Sequence, residues 1–400
     1  MTQDRNSRPS RRSLLAWSGA TALTAATVSL GTETASAATY PAPGSALLVP
    51  SPRLDLNSAS SKWIREKATR DATIIQSFGY DNANGHIYLA QVTQGGLQLA
   101  GESAPVSSVD RNRRGDLTIT KWDTSGNTLG HMYLRGFGHG MSIGVEPVGS
   151  KAYLWTEADG AEVADPVHPD DPDKTTSRGT RLARFPFTDG QVLDTTSSTL
   201  AKYKPVPGSN TYTASVDPVY GRLAIRYRDT DGVMKFQVHD LDLARLNIWS
   251  EPLATISEPS VKAVPGWPLT TYGNPFLQGY VVVGQYLYML HGNSYGSTQK
   301  INGQTIVISE PGIGNTFISS VKLTTGAFSP APPSPFNQNV NPAHTAAAYS
   351  LDYREPEGLG VLIPDLSRPG VFSIGMGFAS GPPGARVASI YGKAGLIQPS

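Results

Sequence analysis

The stretch Gln76-Ser-Phe-Gly-Tyr-Asp81-Asn-Ala-Asn-Gly85-His-Ile-Tyr-Leu-Ala-Gln91 is a short strand ending in an acid, a polar turn with glycine, and a second strand of alternating apolar residues. Four further stretches repeat that order: 141–155, 214–227, 279–291 and 349–363. Counted from Asp81, Glu146, Asp217, Val282 (standing in for an acid) and Asp352, the period is roughly 65–71 residues. A second element keeps step with the first. The glycines closing Trp122-Asp-Thr-Ser-Gly126, Phe185-Pro-Phe-Thr-Asp-Gly190 and Val321-Lys-Leu-Thr-Thr-Gly326 fall 44 or 45 residues past their anchors. A repeated unit too small to bury its own face must stack on copies of itself, so this recurrence constrains the fold more than any composition does.

About five repeats of four short strands predict an all-β chain, a five-bladed β-propeller. The third repeat lacks the glycine at the expected offset, its Val238-His-Asp240-Leu-Asp242 arriving early, so four or six blades also fit. Period-two strands punctuated by Gly, Asn, Asp and Pro run from Ile74 onward, and no helical stripe of useful length follows residue 75. Before them, Lys62-Trp-Ile-Arg-Glu-Lys-Ala-Thr-Arg70 reads as one or two helical turns. The surplus length falls in loops at 102–116, 158–178, 245–270 and 293–311. The 158–178 segment is an acidic, proline-rich hairpin loop, and 327–343 is a proline-rich insertion.

The N-terminus is set apart. Ser10-Arg11-Arg12-Ser13-Leu14-Leu15 is a twin-arginine export signal, followed by a Thr-, Ser- and Ala-rich run and the small-residue cleavage site Ala35-Ser36-Ala37. The expected division is a signal peptide over 1–37 and a single propeller domain over 38–400, secreted by the twin-arginine pathway as a monomer. No later run is long enough to span a bilayer, so membrane insertion is not expected. A formal charge of +1 with dispersed lysines and arginines lacks the electrostatic footprint of a nucleic-acid binder. With no cysteine, disulfides and thiolate chemistry are excluded.

In a propeller the innermost strands run side by side around a channel, so the residues at their starts should converge. Those residues are Gln76, His139, Tyr212, Phe276 and His344. His139 lies between Gly138 and Gly140, where backbone can approach a ligand closely, and an imidazole there could transfer protons. A hydrogen-bonded histidine plugging a narrow channel fits the same residues. In His291-Gly292-Asn293-Ser294-Tyr295-Gly296, at the end of the fourth repeat's second strand, Asn293 and Tyr295 suit sugar hydroxyls and stacking. Arg354-Glu355-Pro356-Glu357-Gly358 stands where the other repeats have a plain turn. There the arginine could take a carboxylate or phosphate bidentately, and the paired acids could serve glycoside hydrolysis, hold Ca²⁺, or simply form a salt bridge. No HxH or HExxH spacing occurs, so no metal site or other cofactor is expected. Trp122 and Trp155 lie on strands and read as core, which leaves Trp249 and Trp267 as the better sugar platforms.

Three of these motifs carry a family resemblance: Gln76-Ser-Phe-Gly-Tyr-Asp81 with His86-Ile-Tyr-Leu-Ala-Gln91, Gly138-His139-Gly140-Met-Ser-Ile-Gly144, and Arg354-Glu-Pro-Glu-Gly358-Leu. The chain resembles, over most of residues 45–395, the β-propeller family of the teichoic-acid protein TagC, helveticin-J-type bacteriocins and receptor-binding proteins of some staphylococcal phages. The resemblance implies five blades and contact with Gram-positive cell-wall polymers such as teichoic acid. It leaves the chemistry open, since the family includes binders and lytic proteins. The expected function is a secreted propeller that binds an anionic cell-wall glycopolymer at the channel mouth through His139, His291, Asn293 and Arg354. Two alternatives stand beside it. One is a lyase or hydrolase of such a polymer with His139 as proton-transfer residue and Glu355 or Glu357 as partner; the other is a bacteriocin-like antagonist.

Overall fold

Five blade sheets, each opened by one repeat, and two small two-stranded sheets make up the computed structural model, which describes residues 50–165, 174–260, 276–307, 316–324, 327–328, 338–339, 348 and 350–399. The first blade is built from Ile75–Asp81, His86–Val92, Leu117–Asp123 and Thr128–Arg135, with Val192–Asp194 added in parallel on its outer edge. The second runs through Gly144–Val148, Lys151–Ala164, Thr175–Pro186 and Ala201–Tyr203, and the third through Asn210–Asp217, Arg222–Arg228, Met234–Asp240 and Ala254–Ser257. Phe276–Val283, Tyr286–Gly292, Phe317–Lys322 and Ala327–Phe328 form the fourth. The fifth takes Glu355–Leu362, Ser373–Ser380 and Val387–Lys393 from the end of the chain and its outermost strand, Ser61–Lys67, from the beginning. The fold is therefore an all-β, five-bladed propeller, as the repeat predicts.

Each blade packs face to face on the next, and the core divides accordingly. One cluster joins the fifth blade to the first (Phe78, Ile87, Trp122, Ile390), and another the first to the second (Ile119, Met132, Val145, Leu154). Trp155, Leu182 and Leu223 join the second to the third, Val238, Val282 and Met289 the third to the fourth, and Tyr288, Leu290 and Ile374 the fourth to the fifth. Middle strands covered on both faces read as continuous apolar runs: every residue of Tyr286–Gly292 is buried. Trp122 and Trp155 are core, as expected.

The recurring acid of the repeat serves the fold. Asp81 accepts the Asn84 backbone N–H at 3.0 Å and closes the turn with Gly85. Asp217 accepts Val219 and Tyr220 in its own turn and, across to the next blade, the N–H of Gly284 at 2.8 Å. Glu146 instead receives Arg184 and the indole N–H of Trp155, both at 2.6 Å.

Three expectations are corrected here. The segment read as helical turns contains the strand Ser61–Lys67, whose Lys62, Arg65 and Glu66 mark it as a charged outer edge. In the fifth blade the inner strand begins at Glu355, so Arg354-Glu355-Pro356-Glu357-Gly358 opens a strand and replaces no turn. Much of the supposed 158–178 loop is a long hairpin, its strands continuing to Ala164 and resuming at Thr175. Most of the 327–343 insertion lies outside the described residues.

Candidate functional site

Where the inner strands begin, four of the five blades break register in the same way. The pairing slips between Ile75 and Ser77, Asn210 and Thr213, Leu277 and Gly279, and Pro356 and Leu359. A β-bulge leaves extra residues unpaired and re-aims their side chains. The residues so released, Gln76, Thr211, Gln278 and Glu357, all line one cavity of about 570 Å³ at that end of the channel.

The second blade reaches the cavity by another route. Its inner strand is preceded by Gly138-His139-Gly140, and this loop is fixed from behind by Glu157, which accepts the N–H groups of Gly140 and Gly179, each at 2.6 Å. A β-carbon on Gly138 would sit 2.1 Å from the Glu157 carboxylate, so only glycine admits the contact. His139 lines the cavity, its Nδ1 2.9 Å from the Thr176 hydroxyl, which in turn donates to Asn112 Oδ1 at 3.1 Å. In that chain of bonds Nδ1–H is the donor to Thr176. Burial and the nearby Arg178 charge hold the imidazole well below its ordinary pKa, so it is neutral at pH 7.

From the fourth blade come His291 and Asn293. His291 is buried, its Nδ1 has no hydrogen-bond partner among the described residues, and burial with the Arg226 charge lowers its pKa to about 3. Arg226, from the third blade, is forked onto Glu258, with one bond of 3.1 Å. Arg178 differs. It stands on the extended hairpin of the second blade, no hydrogen bond or ion pair engages it among the described residues, and its Nη1 is buried without a partner.

Two carboxyls face this basic side from one strand, Glu355 and Glu357. Burial lifts Glu355 to about 7, against the pull of Arg386. Burial and the neighbouring Glu355 push Glu357 well above the carboxylate range, with Arg178 opposing. Neither has a hydrogen-bond or ion-pair partner among the described residues.

The structure thus brings together Gln76, His139, Phe276, His291, Asn293, Glu355 and Glu357. It does not bring in three other candidates. Tyr212 is fully buried between the second and third blades, its hydroxyl donating to the Val206 carbonyl at 2.8 Å, and the bulge presents Thr211 instead. Tyr295 lies outside the cavity with its ring 5.0 Å from that of Tyr353. Arg354 is buried beneath the strand start, donating to the Ala348 carbonyl at 3.4 Å. Trp249 packs beside Tyr203 and His239, away from the cavity, while His344 and Trp267 lie outside the described residues.

Arg178 and Arg226 escaped the sequence reading. Arg226 sits in Arg222-Leu-Ala-Ile-Arg-Tyr-Arg228, a strand with covered faces, where an arginine is unusual unless it serves a cavity or an ion pair. Arg178 was hidden by the acidic composition around it. The spacing Gly292-Asn293-Ser294-Tyr295-Gly296 also matches a serine nucleophile elbow. Here the chain leaves a strand for a turn and the hairpin strand Thr298–Ile301, and Ser294 Oγ contacts Ser297 Oγ at 3.1 Å with no histidine attached. Among the described residues no group of three His, Asp or Glu side chains is arranged to hold a metal ion.

Comparison with known proteins places these features in context. A family model described as the phage 5-bladed β-propeller receptor-binding platform domain matches residues 74–310. A putative major teichoic acid biosynthesis protein C of Bacillus subtilis (strain 168) is 26% identical over 340 residues, covering 84% of this chain and 63% of the relative. The chain thus spans less than two thirds of that protein. The tail fiber of Staphylococcus aureus phage P68 superposes with a TM-score of 0.56 at 17% identity, over 86% of this chain and 53% of the fiber. That likeness is one of fold.

Proposed function

Because the chain belongs to the family of phage five-bladed β-propeller receptor-binding platform domains, we propose that it binds an anionic, teichoic-acid-like cell-wall glycopolymer in the cavity at the mouth of its channel. The observation that carries this reading is Arg178, a partly buried guanidinium lining the cavity whose Nη1 is buried without a partner and which no anion pairs among the described residues. A cation held away from water without a partner is costly, and a phosphate or carboxylate of the ligand supplies the missing bidentate contact. Gln76, Gln278, Asn293 and His291 surround it with uncharged donors and acceptors suited to sugar hydroxyls. The name of the Bacillus subtilis relative supports a teichoic-acid context. The twin-arginine motif at Arg11-Arg12 supports export to where such a polymer lies.

The test is co-sedimentation of the purified chain with Gram-positive cell walls before and after chemical removal of teichoic acid. Binding should be lost from stripped walls, weaken with added salt, and fall in Arg178→Ala. Equal retention on intact and stripped walls would overturn the proposal.

A further inference from the structure

We propose that the cavity also cleaves what it binds, Glu357 and Glu355 acting as an acid–base pair that hydrolyses a glycosidic bond of the polymer. The inference rests on the polymer-binding reading above and adds a reaction to it.

Its geometry begins with the bulge in the fifth blade's inner strand. Glu355 and Glu357 flank Pro356, whose ring sits against Gly292, where an added β-carbon would lie 2.2 Å from it. Proline fixes the backbone between the two acids, and both reach the same cavity. Acids kept for stability would be paired with the arginine available to them. Arg178 lines the same cavity, yet no ion pair joins it to either acid. His291, 6% exposed, adds an independent sign of a missing ligand, since its buried Nδ1 has no partner among the described residues. Four polar groups without a partner among the described residues, around a space of about 570 Å³, describe a site suited to a polar molecule.

The reaction needs one carboxyl protonated and the other ionised. Burial and its neighbour keep the proton on Glu357, whereas Glu355 titrates near neutrality. The other groups facing the pair leave this division intact. His139 and His291 are held neutral, Arg226 is engaged by Glu258, and Arg178 remains for the polymer's anionic group. Asp165 and Arg228 also line the cavity, and Arg386 acts on Glu355 from just before the strand Val387–Lys393 of the same blade. Glu357 gives its proton to the glycosidic oxygen as the bond from the anomeric carbon to that oxygen breaks. Glu355 takes a proton from the water whose oxygen bonds that carbon. One water is consumed and two polymer fragments are formed. The proton on Glu355 returns to Glu357 through solvent, so no oxidant, reductant or co-reactant enters. His139, neutral and bonded through Nδ1, is a contact residue here and not the proton carrier.

The experiment incubates the full chain with a purified poly(glycosyl phosphate) wall polymer at pH 6–8.5. It measures reducing ends over time alongside co-sedimentation with the same polymer. The wild type should release reducing ends. Glu357→Gln should lower the rate about 100-fold or more while still binding, with no lower melting temperature. A wild type that binds the polymer but releases no reducing ends overturns the hydrolytic proposal alone, as does Glu357→Gln cleaving at the wild-type rate. A chain that neither binds nor cleaves overturns the binding reading as well.

Discussion

At the scale of single residues, Arg178 sets function against stability. It stands on the hairpin of the second blade with its Nη1 buried, and burial lowers its pKa, with Glu157 as the leading opposing charge. Replacing it with methionine of similar length removes a charge that has no ion-pair partner among the described residues and keeps the apolar stem. Arg178→Met should therefore melt no lower than the wild type, yet bind the polymer at least about 10-fold more weakly, as expected for loss of a charged hydrogen bond worth about 1.5–3 kcal/mol. Thermal melts paired with binding isotherms check this; a variant that unfolds earlier would show that Arg178 is structural. Glu355 makes the second prediction, with the sign set by linkage. Its folded pKa, about 7, lies above the ordinary carboxylate value of 4.5, so the folded chain binds the extra proton between those limits. Its contribution is fully present below pH 4.5 and is lost as pH rises through 7. His291, lowered to about 3, acts oppositely between 3 and 6.5, so its slope has ended where that of Glu355 is still falling. Melting temperatures of the wild type should drop relative to Glu355→Gln as pH goes from 5 to 8. Parallel curves would contradict a Glu355 carboxyl raised by burial.

At the scale of the element, the decisive device is the bulge at the head of the inner strands. In the fifth blade it depends on Gly358, whose φ of 80° lies in the left-handed region and whose absent β-carbon leaves room for the backbone of Ser77, 2.8 Å away. Gly358→Ala should cost about 1–3 kcal/mol from strain and contact. It should also slow the release of reducing ends, since Glu357 precedes it and would be displaced. Denaturant unfolding and the reducing-end assay measure the two losses, and a variant with wild-type stability would exclude the strain argument. The same bulge explains what the sequence concealed. Tyr349-Ser-Leu-Asp352 imitates the strand-and-acid of the other repeats, and Gly358 imitates their turn glycine, so the fifth repeat was aligned several residues too early. Gln76, His139 and Phe276 are legible as strand starts, which converge in any propeller, whereas Glu357 stands out only because its motif departs from the repeat. Tyr212 was named in place of Thr211 because a bulge moves the cavity-facing position by one residue without any mark in the alternation.

At the scale of the molecule, the blade count was legible because identical packing problems receive similar residues, whereas the closure of the ring was not. Ser61–Lys67 pairs with Val387–Lys393, more than three hundred residues later in the chain, and only Ile64 of the seven is buried. An edge strand has one partner and one covered face, so its alternation is weak and its charges resemble those of a helix. Its hold on the ring is nevertheless specific. The Trp63 indole lies over Gly392, where an added β-carbon would come within 1.8 Å of it; the Glu66 N–H donates to Ser389 Oγ at 2.8 Å, and Arg65 donates to the Tyr391 hydroxyl at 3.0 Å. Just beyond the strand, the Ala68 carbonyl receives the Trp122 indole N–H at 3.1 Å, tying the closing segment to the first blade. Burial of Ile64 contributes about 1.5–3 kcal/mol, the half-buried Trp63 adds to it, and the hydrogen bonds contribute about 0.5–1.5 kcal/mol each. Their sum is a large part of the 5–15 kcal/mol that typically holds a domain together. A chain beginning at Pro50 should keep the cooperative melt of the full sequence. One beginning at Ala68 exposes the edge of Val387–Lys393 and opens the seam, so it should aggregate or lose its cooperative transition. Calorimetry of the two truncations decides the matter: a cooperative melt of the shorter chain within a few degrees of the longer one would mean that the five inter-blade cores hold the ring without its closing strand.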